Sequence, residues 1–199
     1  MKQNSTRIQQ AIQESITAKQ ALLDSDPLLD AIAAATDACV KAFRQKSKVL
    51  FCGNGGSAAD AQHLAAELSG RFYFDRPPLF AEALHVNSSF TTAVSNDYGY
   101  DYVFARMVEA VGREGDILFA LSTSGNSPNV LRAIEAAREC GMSIIGMTGQ
   151  SGGKMRERCD ILLNAPSSDT PRIQECHMLM GHIICELVEK TLFTPGRTS

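Results

Sequence analysis

The sequence predicts an α/β fold in which helices cover both faces of a five-stranded parallel sheet, with extra helices ahead of the first strand. Strand-like and helix-like segments alternate regularly through the 199 residues, the signature of parallel βαβ units joined by right-handed crossovers. The segment from Asp116 to Leu121 is apolar throughout after its leading Asp, as a strand buried on both faces is. Two strand ends also break into glycine- or serine-rich loops that open helices, and ligands of open parallel sheets sit at such carboxyl ends.

Residues 6 to 24 place Ile8, Ile12, Ile16 and Leu22/Leu23 at helical spacing among polar residues, an amphipathic helix broken by Pro27 and its neighbours. Its apolar stripe needs a cover, either its own domain or another subunit. A second, alanine-rich helix runs from about Leu28 to Arg44. Lys48 to Cys52 reads as the first strand, and a helix resumes at Ser57. Arg76-Pro77-Pro78 is a loop, Leu79 to Val86 a second strand, and Ser88 to Val94 a short helix before a polar turn, Asn96-Asp97-Tyr98-Gly99. Tyr102 to Gly112 is helical, its end marked by the glycine. Strand 116–121 leads through a serine-rich loop into a helix ending at Cys140. Ser143 to Thr148 and Asp160 to Asn164 are the last two strands, with a short helix from Gly152-Gly153 between them, and a long helix from about Pro171 to Leu192 comes last. The expected organisation is one domain over 1–199, with helices in 1–46 used for packing and oligomerisation and a ligand-binding α/β core in 47–193.

A length of 199 residues allows a sizeable core, and 44% hydrophobic with 21% charged residues is ordinary for a soluble globular chain. The formal net charge of -3 leaves no overall basic face, so nucleic acid is not an expected partner. No run reaches the length of a membrane span, and Met1-Lys2-Gln3-Asn4 lacks the apolar core of a signal peptide. The six cysteines contain no C-x-x-C pair and mostly lie in apolar stretches, where a reduced thiol packs as a small hydrophobe. A cytoplasmic protein with free thiols is expected.

Chemistry concentrates in Leu50 to Phe72. Its strand breaks into Gly53-Asn54-Gly55-Gly56, where missing Cβ atoms permit tight turns and close approach of a ligand. Ser57 reads as the N-cap of the next helix, with Asp60 in a capping-box-like position. The free N–H groups of that first turn favour an anion, most often phosphate. One turn on, His63 and Glu67 share a helical face. Gly53, Gly55 and Ala58 also fit the dinucleotide fingerprint, but that reading wants an acidic residue ending the second strand, and Glu82 lies inside it. A nucleotide P-loop is excluded because no Gly-Lys-Ser/Thr follows the glycines. A plain connecting turn is the competing explanation of the glycines.

Ser122-Thr123-Ser124-Gly125-Asn126-Ser127 repeats the strand-loop-helix arrangement, with Ser127 as N-cap and Pro128 at the first helical position. It contains no lysine or arginine. Hydroxyls and neutral N–H dipoles suit a small phosphate monoester better than a triphosphate with its metal. On the last helix, His177 and His182 lie among Ile173, Cys176, Met180, Ile184 and Leu187. Lone histidines on such a stripe are more often satisfied core residues than catalysts.

Together these motifs, with His63-x-x-x-Glu67-Leu68-x-Gly70-Arg71 and Arg172-Ile173-Gln174-Glu175, resemble the sugar-isomerase (SIS) domain family over nearly the whole chain. The resemblance implies a flavodoxin-like three-layer α-β-α sandwich and, as substrate, a small sugar phosphate. It implies interconversion of sedoheptulose 7-phosphate and D-glycero-D-manno-heptose 7-phosphate, which begins activated-heptose supply for lipopolysaccharide core or surface glycans. Phosphate contacts fall on Ser57, Ser122, Ser124 and Ser127, with Asn54, Thr123 and the backbone of Gly55 and Gly56 beside them. Asn96, Asp97 and Gln174 fall on the sugar chain, and Arg71 shapes the site. Glu67 and His182 match the acid/base pair that would move protons through an enediol. Some members hold zinc through residues matching His63, Glu67, Gln174 and His182, so zinc is the expected cofactor, with no nucleotide or flavin. The two roles of Glu67 compete, because tight zinc binding lowers its basicity. Gln174 and His182 lie about 12 Å apart along a helix axis, which makes a shared ion demanding. Pro171 departs from the family pattern and leaves a sugar contact from Asp169 open. Family membership also implies a homotetramer with sites at subunit borders. The competing reading is a non-enzymatic SIS protein that senses a phosphosugar or binds a replication initiator; such relatives lack the carboxylate and the imidazole that Glu67 and His182 supply here.

Overall fold

The structure, a computed structural model, describes residues 2–193; Met1 and 194–199, the ends of the expected domain, lie outside the described residues. Helices α1 (Lys2–Leu23) and α2 (Asp26–Arg44) precede β1 (Val49–Cys52), α3 (Gly56–Ser69) and β2 (Ala81–Ala83). Then come α4 (Ser88–Tyr98), α5 (Val103–Val111), β3 (Ile117–Leu121), α6 (Pro128–Glu139), β4 (Ser143–Thr148), β5 (Ile161–Asn164) and α7 (Thr170–Phe193). The five strands are all parallel, in the order β2-β1-β3-β4-β5, the flavodoxin-like winding. The strand order reverses between β1 and β3, so the loops leaving those two strands flank one crevice.

Side chains alternate across the strands and build two cores. Val49 and Phe51 of β1 join Ile117, Phe119 and Leu121 of β3 beneath α2, α3 and α7. Leu50 and Cys52, with Leu118 and Ala120, face α5 and α6. This is the expected three-layer sandwich. The cysteines are free, and burial pushes the Cys52 and Cys185 thiols up to about 12, so they pack as hydrophobes. No helix among the described residues is long and apolar enough to cross a membrane.

Two elements differ from the sequence expectation. The second strand is only Ala81–Ala83, because its single neighbour, β1, pairs at Val49, Leu50 and Phe51 and breaks soon afterwards. The helix after it continues through Asn96 and Asp97 to Tyr98 instead of turning. Asn87 caps its start by accepting from the Phe90 N–H, and Gly99 at φ 93° ends it. The sequence leaves open whether the apolar stripe of α1 is covered by its own domain or by another subunit; within the chain, Ile8, Ile12 and Ile16 are 60%, 56% and 53% exposed, while Ala18 and Leu22 turn inward.

His177 is the core histidine that its surroundings suggest. It is fully buried, its Nε2 lies 3.0 Å from the Thr148 carbonyl, and burial pushes it down to about 4. A depressed imidazole contributes stability that is present above its unfolded value near 6.5 and lost as pH falls towards 4. Thermal unfolding of His177→Asn is therefore expected to be less sensitive to acid between pH 6.5 and 4 than wild type; an unchanged pH profile would count against a neutral buried imidazole.

Candidate active site

The glycine loop between β1 and α3 is fastened from the side. Asn54 and Asn129 exchange amide hydrogen bonds at 2.9 and 2.8 Å, and the Tyr100 hydroxyl donates to Asn54 Oδ1 at 3.1 Å. Asn129 is buried in the first turn of α6, so this pair ties the glycine loop to the helix opened by the serine loop. Neither Asn129 nor Tyr100 stood out in the sequence. The only signal was an asparagine two residues past the Ser127 cap, in a turn whose orphan N–H groups were already the focus.

Ser57 does not cap α3, contrary to expectation. Gly55 holds the cap position at φ 55°, and Ser57 sits buried in the first turn, beside the same free N–H groups. Asp60 likewise makes no capping box. Its Oδ2 is buried with no hydrogen-bond partner among the described residues, and burial raises the carboxyl to about 6 against the opposing pull of His63.

In the serine loop, the hydroxyls converge. Ser122 Oγ lies 2.9 Å from Ser127 Oγ and 3.4 Å from Ser124 Oγ. Ser127 occupies the cap position of α6, yet its hydroxyl makes no capping bond and turns to Ser122 instead. Ser124 Oγ accepts the Asn126 N–H at 3.2 Å. Thr123 is half-buried between them. Three hydroxyls and a helix start thus face the crevice beside the glycine loop, with no basic side chain among them.

Helices α3 and α7 lie side by side and run the same way. Gln174 meets Gly56 at their starts, Leu64 faces Gly181 midway, and Glu189 meets the chain just past α3. The Gln174 amide nitrogen sits 2.2 Å from where a Cβ on residue 56 would stand, so only glycine leaves room for it. One level further along, His63 Nε2 lies 3.0 Å from His182 Nε2 and 3.1 Å from Glu67 Oε1. One donor atom each from His63, Glu67 and His182 falls within 4.8 Å of the others. The eight residues from Gln174 to His182 along α7 are nearly matched by the seven from Gly56 to His63 along α3. A single chain therefore supplies both Glu67 and His182 to one place.

Two imidazole nitrogens and a carboxylate oxygen converging from two helices fit the three-ligand sites of catalytic zinc, which keep a position open. Asn96 and Asp97 occupy the last turn of α4, where Asn96 Nδ2 donates to Asp97 Oδ1 at 2.9 Å. Arg71 is exposed in the turn after α3. Pro171 falls in the first turn of α7, where its missing N–H is one of the helix orphans anyway.

Sheet order and paired loops define an α/β protein of the SIS type, and residues 11–149 match the SIS domain family model. The chain is 56% identical over 182 residues to phosphoheptose isomerase of Mycobacterium bovis, covering 92% of this chain and 93% of that one. Phosphoheptose isomerase of Burkholderia pseudomallei is 51% identical, with 94% and 95% covered. The structure of phosphoheptose isomerase from Neisseria gonorrhoeae superposes with a TM-score of 0.88 at 43% identity, over 94% of this chain and 98% of that one. The chain belongs to the SIS domain family and, within it, to the phosphoheptose isomerases.

Proposed function

We propose that the chain interconverts sedoheptulose 7-phosphate and D-glycero-D-manno-heptose 7-phosphate in the cytoplasm, as the first step towards activated heptose for lipopolysaccharide core or surface glycans. The observation that carries this is the placement of Glu67 and His182 on adjacent parallel helices, one level along from two loops of hydroxyls and free N–H groups. Membership of the phosphoheptose isomerases supplies the substrate class. Aldose-ketose exchange removes a proton from the carbon beside a carbonyl and returns it one carbon away. Glu67, partly exposed and without a lysine or arginine ion pair among the described residues, acts as the base. His182 moves the proton between the two oxygens.

The phosphate rests on Ser57, Ser122, Ser124 and Ser127 and on the N–H groups behind Gly55 and Gly56, with Asn54 and Thr123 beside it. Gln174, Asn96 and Asp97 bind the sugar chain, and Arg71 closes its edge. A phosphosugar sensor would need the loops but neither the carboxylate nor the imidazole. The test is wild-type enzyme with sedoheptulose 7-phosphate, followed by NMR; absence of the aldose product would overturn the reading.

Zinc on His63, Glu67 and His182, with Gln174 as a further ligand, would polarise the substrate carbonyl and stabilise developing negative charge on its oxygen. Calorimetric titration of zinc into metal-stripped enzyme is expected to show one site per chain, weakened by about 10-fold or more in His63→Ala. Equal affinity in the two would remove this ligand set.

The solvent-facing Ile8, Ile12 and Ile16 support an assembly in which residues 1–46 pack between copies of a single 1–199 domain. A homotetramer with sites at subunit borders is expected by sedimentation at micromolar concentration, and a monomer would contradict it.

A further inference from the structure

Glu189 lies two turns beyond His182 on the same face of α7 and is fully buried. Its Oε1 accepts from the Phe72 N–H and from Arg76 Nε, both at 2.9 Å, and its Oε2 accepts from the Tyr73 and Phe74 N–H groups at 2.6 and 3.0 Å. Burial pushes this carboxyl up, but the three N–H groups and the guanidinium outweigh it and hold it below the usual range. Arg76 in turn donates through Nη1 to the carbonyls of Leu68, Gly70 and Pro77, at 2.8, 3.3 and 3.1 Å. Its Nη2 donates to the Glu67 carbonyl at 2.9 Å.

The two side chains are 2% and 1% exposed. Charges buried this deeply are expensive to dehydrate, and well-packed apolar residues of similar volume often serve stability as well or better. An apolar pair could not, however, hold backbone N–H and carbonyl groups in fixed places. The groups held here belong to the segments that carry the site. The Glu67 carbonyl is that of the proposed base. The Phe72 N–H fixes a residue whose ring lies 5.7 Å from the His182 ring, centroid to centroid. Glu189 itself shares a helix with His182.

We infer that Arg76 and Glu189 are positioning residues for the reaction: their ion pair sets Glu67 against His182, and Phe72, clamped by it, limits rotation of the imidazole. This rests on the reading of Glu67 and His182 as the acid/base pair. Misplacement of reacting groups by about 1 Å is enough to lose about 100-fold in rate.

The test compares wild type with Arg76→Lys, Glu189→Gln, the double variant R76M/E189M and Phe72→Ala in steady-state turnover of sedoheptulose 7-phosphate. Folded fraction is measured in parallel by circular dichroism. Folded variants are expected to lose about 10- to 100-fold in kcat with KM within about 3-fold, because the phosphate loops are untouched. A merely structural role would lower the yield of folded enzyme and leave kcat per folded site and KM alone. The double variant replaces the pair by apolar volume; should it fail to fold, Phe72→Ala decides, since it leaves the ion pair intact. A folded double variant with kcat within about 2-fold of wild type overturns the inference, and so does the same result for Phe72→Ala when it decides. No turnover by wild type would instead overturn the isomerase reading, whereas normal turnover by Glu67→Gln would remove the acid/base assignment and this inference with it.

Discussion

Glu67→Gln is expected to lower kcat by about 1,000-fold or more while KM stays within about 3-fold of wild type. Glutamine keeps the volume of the side chain and can still reach His63 Nε2, 3.1 Å from Glu67 Oε1 in the native protein. It cannot take a proton from carbon. The glycine and serine loops proposed to seat the phosphate lie a level away, so binding of the heptose phosphate should persist, measured by isothermal titration beside the NMR assay. The same variant separates the two roles available to Glu67. If the carboxylate served only to hold a metal ion, saturating zinc would restore turnover; if it is the base, added zinc leaves the defect in place. Turnover near the wild-type rate would remove Glu67 from the chemistry altogether.

What could be read from the sequence was what is local. Gly53-Asn54-Gly55-Gly56 and Ser122 to Ser127 announce themselves because tight turns and helix starts demand particular residue types within a few positions. The apolar strand 116–121 and the alternation around it yield the sheet. Even locally, competing chemistry won in places. Ser57 is an attractive cap by type, but a glycine two residues earlier at φ 55° lets the helix begin sooner. Asn96 and Asp97 favour turns, yet a capped start at Asn87 carries the helix through them to Gly99.

Long-range partnerships left no such mark. Nothing near Gln174 says that its amide rests on Gly56, or that α3 and α7 run parallel so that residues 174 and 182 meet residues 56 and 63. The buried Arg76–Glu189 pair joins residues 113 positions apart, and each looks like an ordinary surface charge in sequence. Family resemblance marked Glu67 and His182 as a pair, but only tertiary packing places them together in one chain.

Gly125→Ala is expected to damage stability and substrate affinity together. Gly125 has φ 66°, a left-handed conformation that costs a residue with a Cβ about 1–3 kcal/mol. A Cβ there would also stand 2.1 Å from the Gly152 carbonyl oxygen and 3.0 Å from the Gly153 Cα. Both contacts are backbone, in a turn that is itself held by the Met155 N–H donating to the Gly125 carbonyl at 3.1 Å. No side chain can swing aside, so the serine loop must move, and with it the Ser122, Ser124 and Ser127 hydroxyls. A loss of about 2 kcal/mol or more in unfolding free energy should accompany a rise in KM of about 10-fold or more. Gly56→Ala is the informative contrast. Its Cβ would also collide, but only with the far end of the flexible Gln174 side chain, and residue 56 lies in a helical turn. That variant should fold with nearly native stability while displacing Gln174 from the crevice. Chemical denaturation and steady-state kinetics on the two side by side distinguish a rigid backbone seat from an adjustable side-chain wall. If Gly125→Ala kept both the unfolding midpoint and the KM of wild type, the serine loop would not be the fixed half of the phosphate seat.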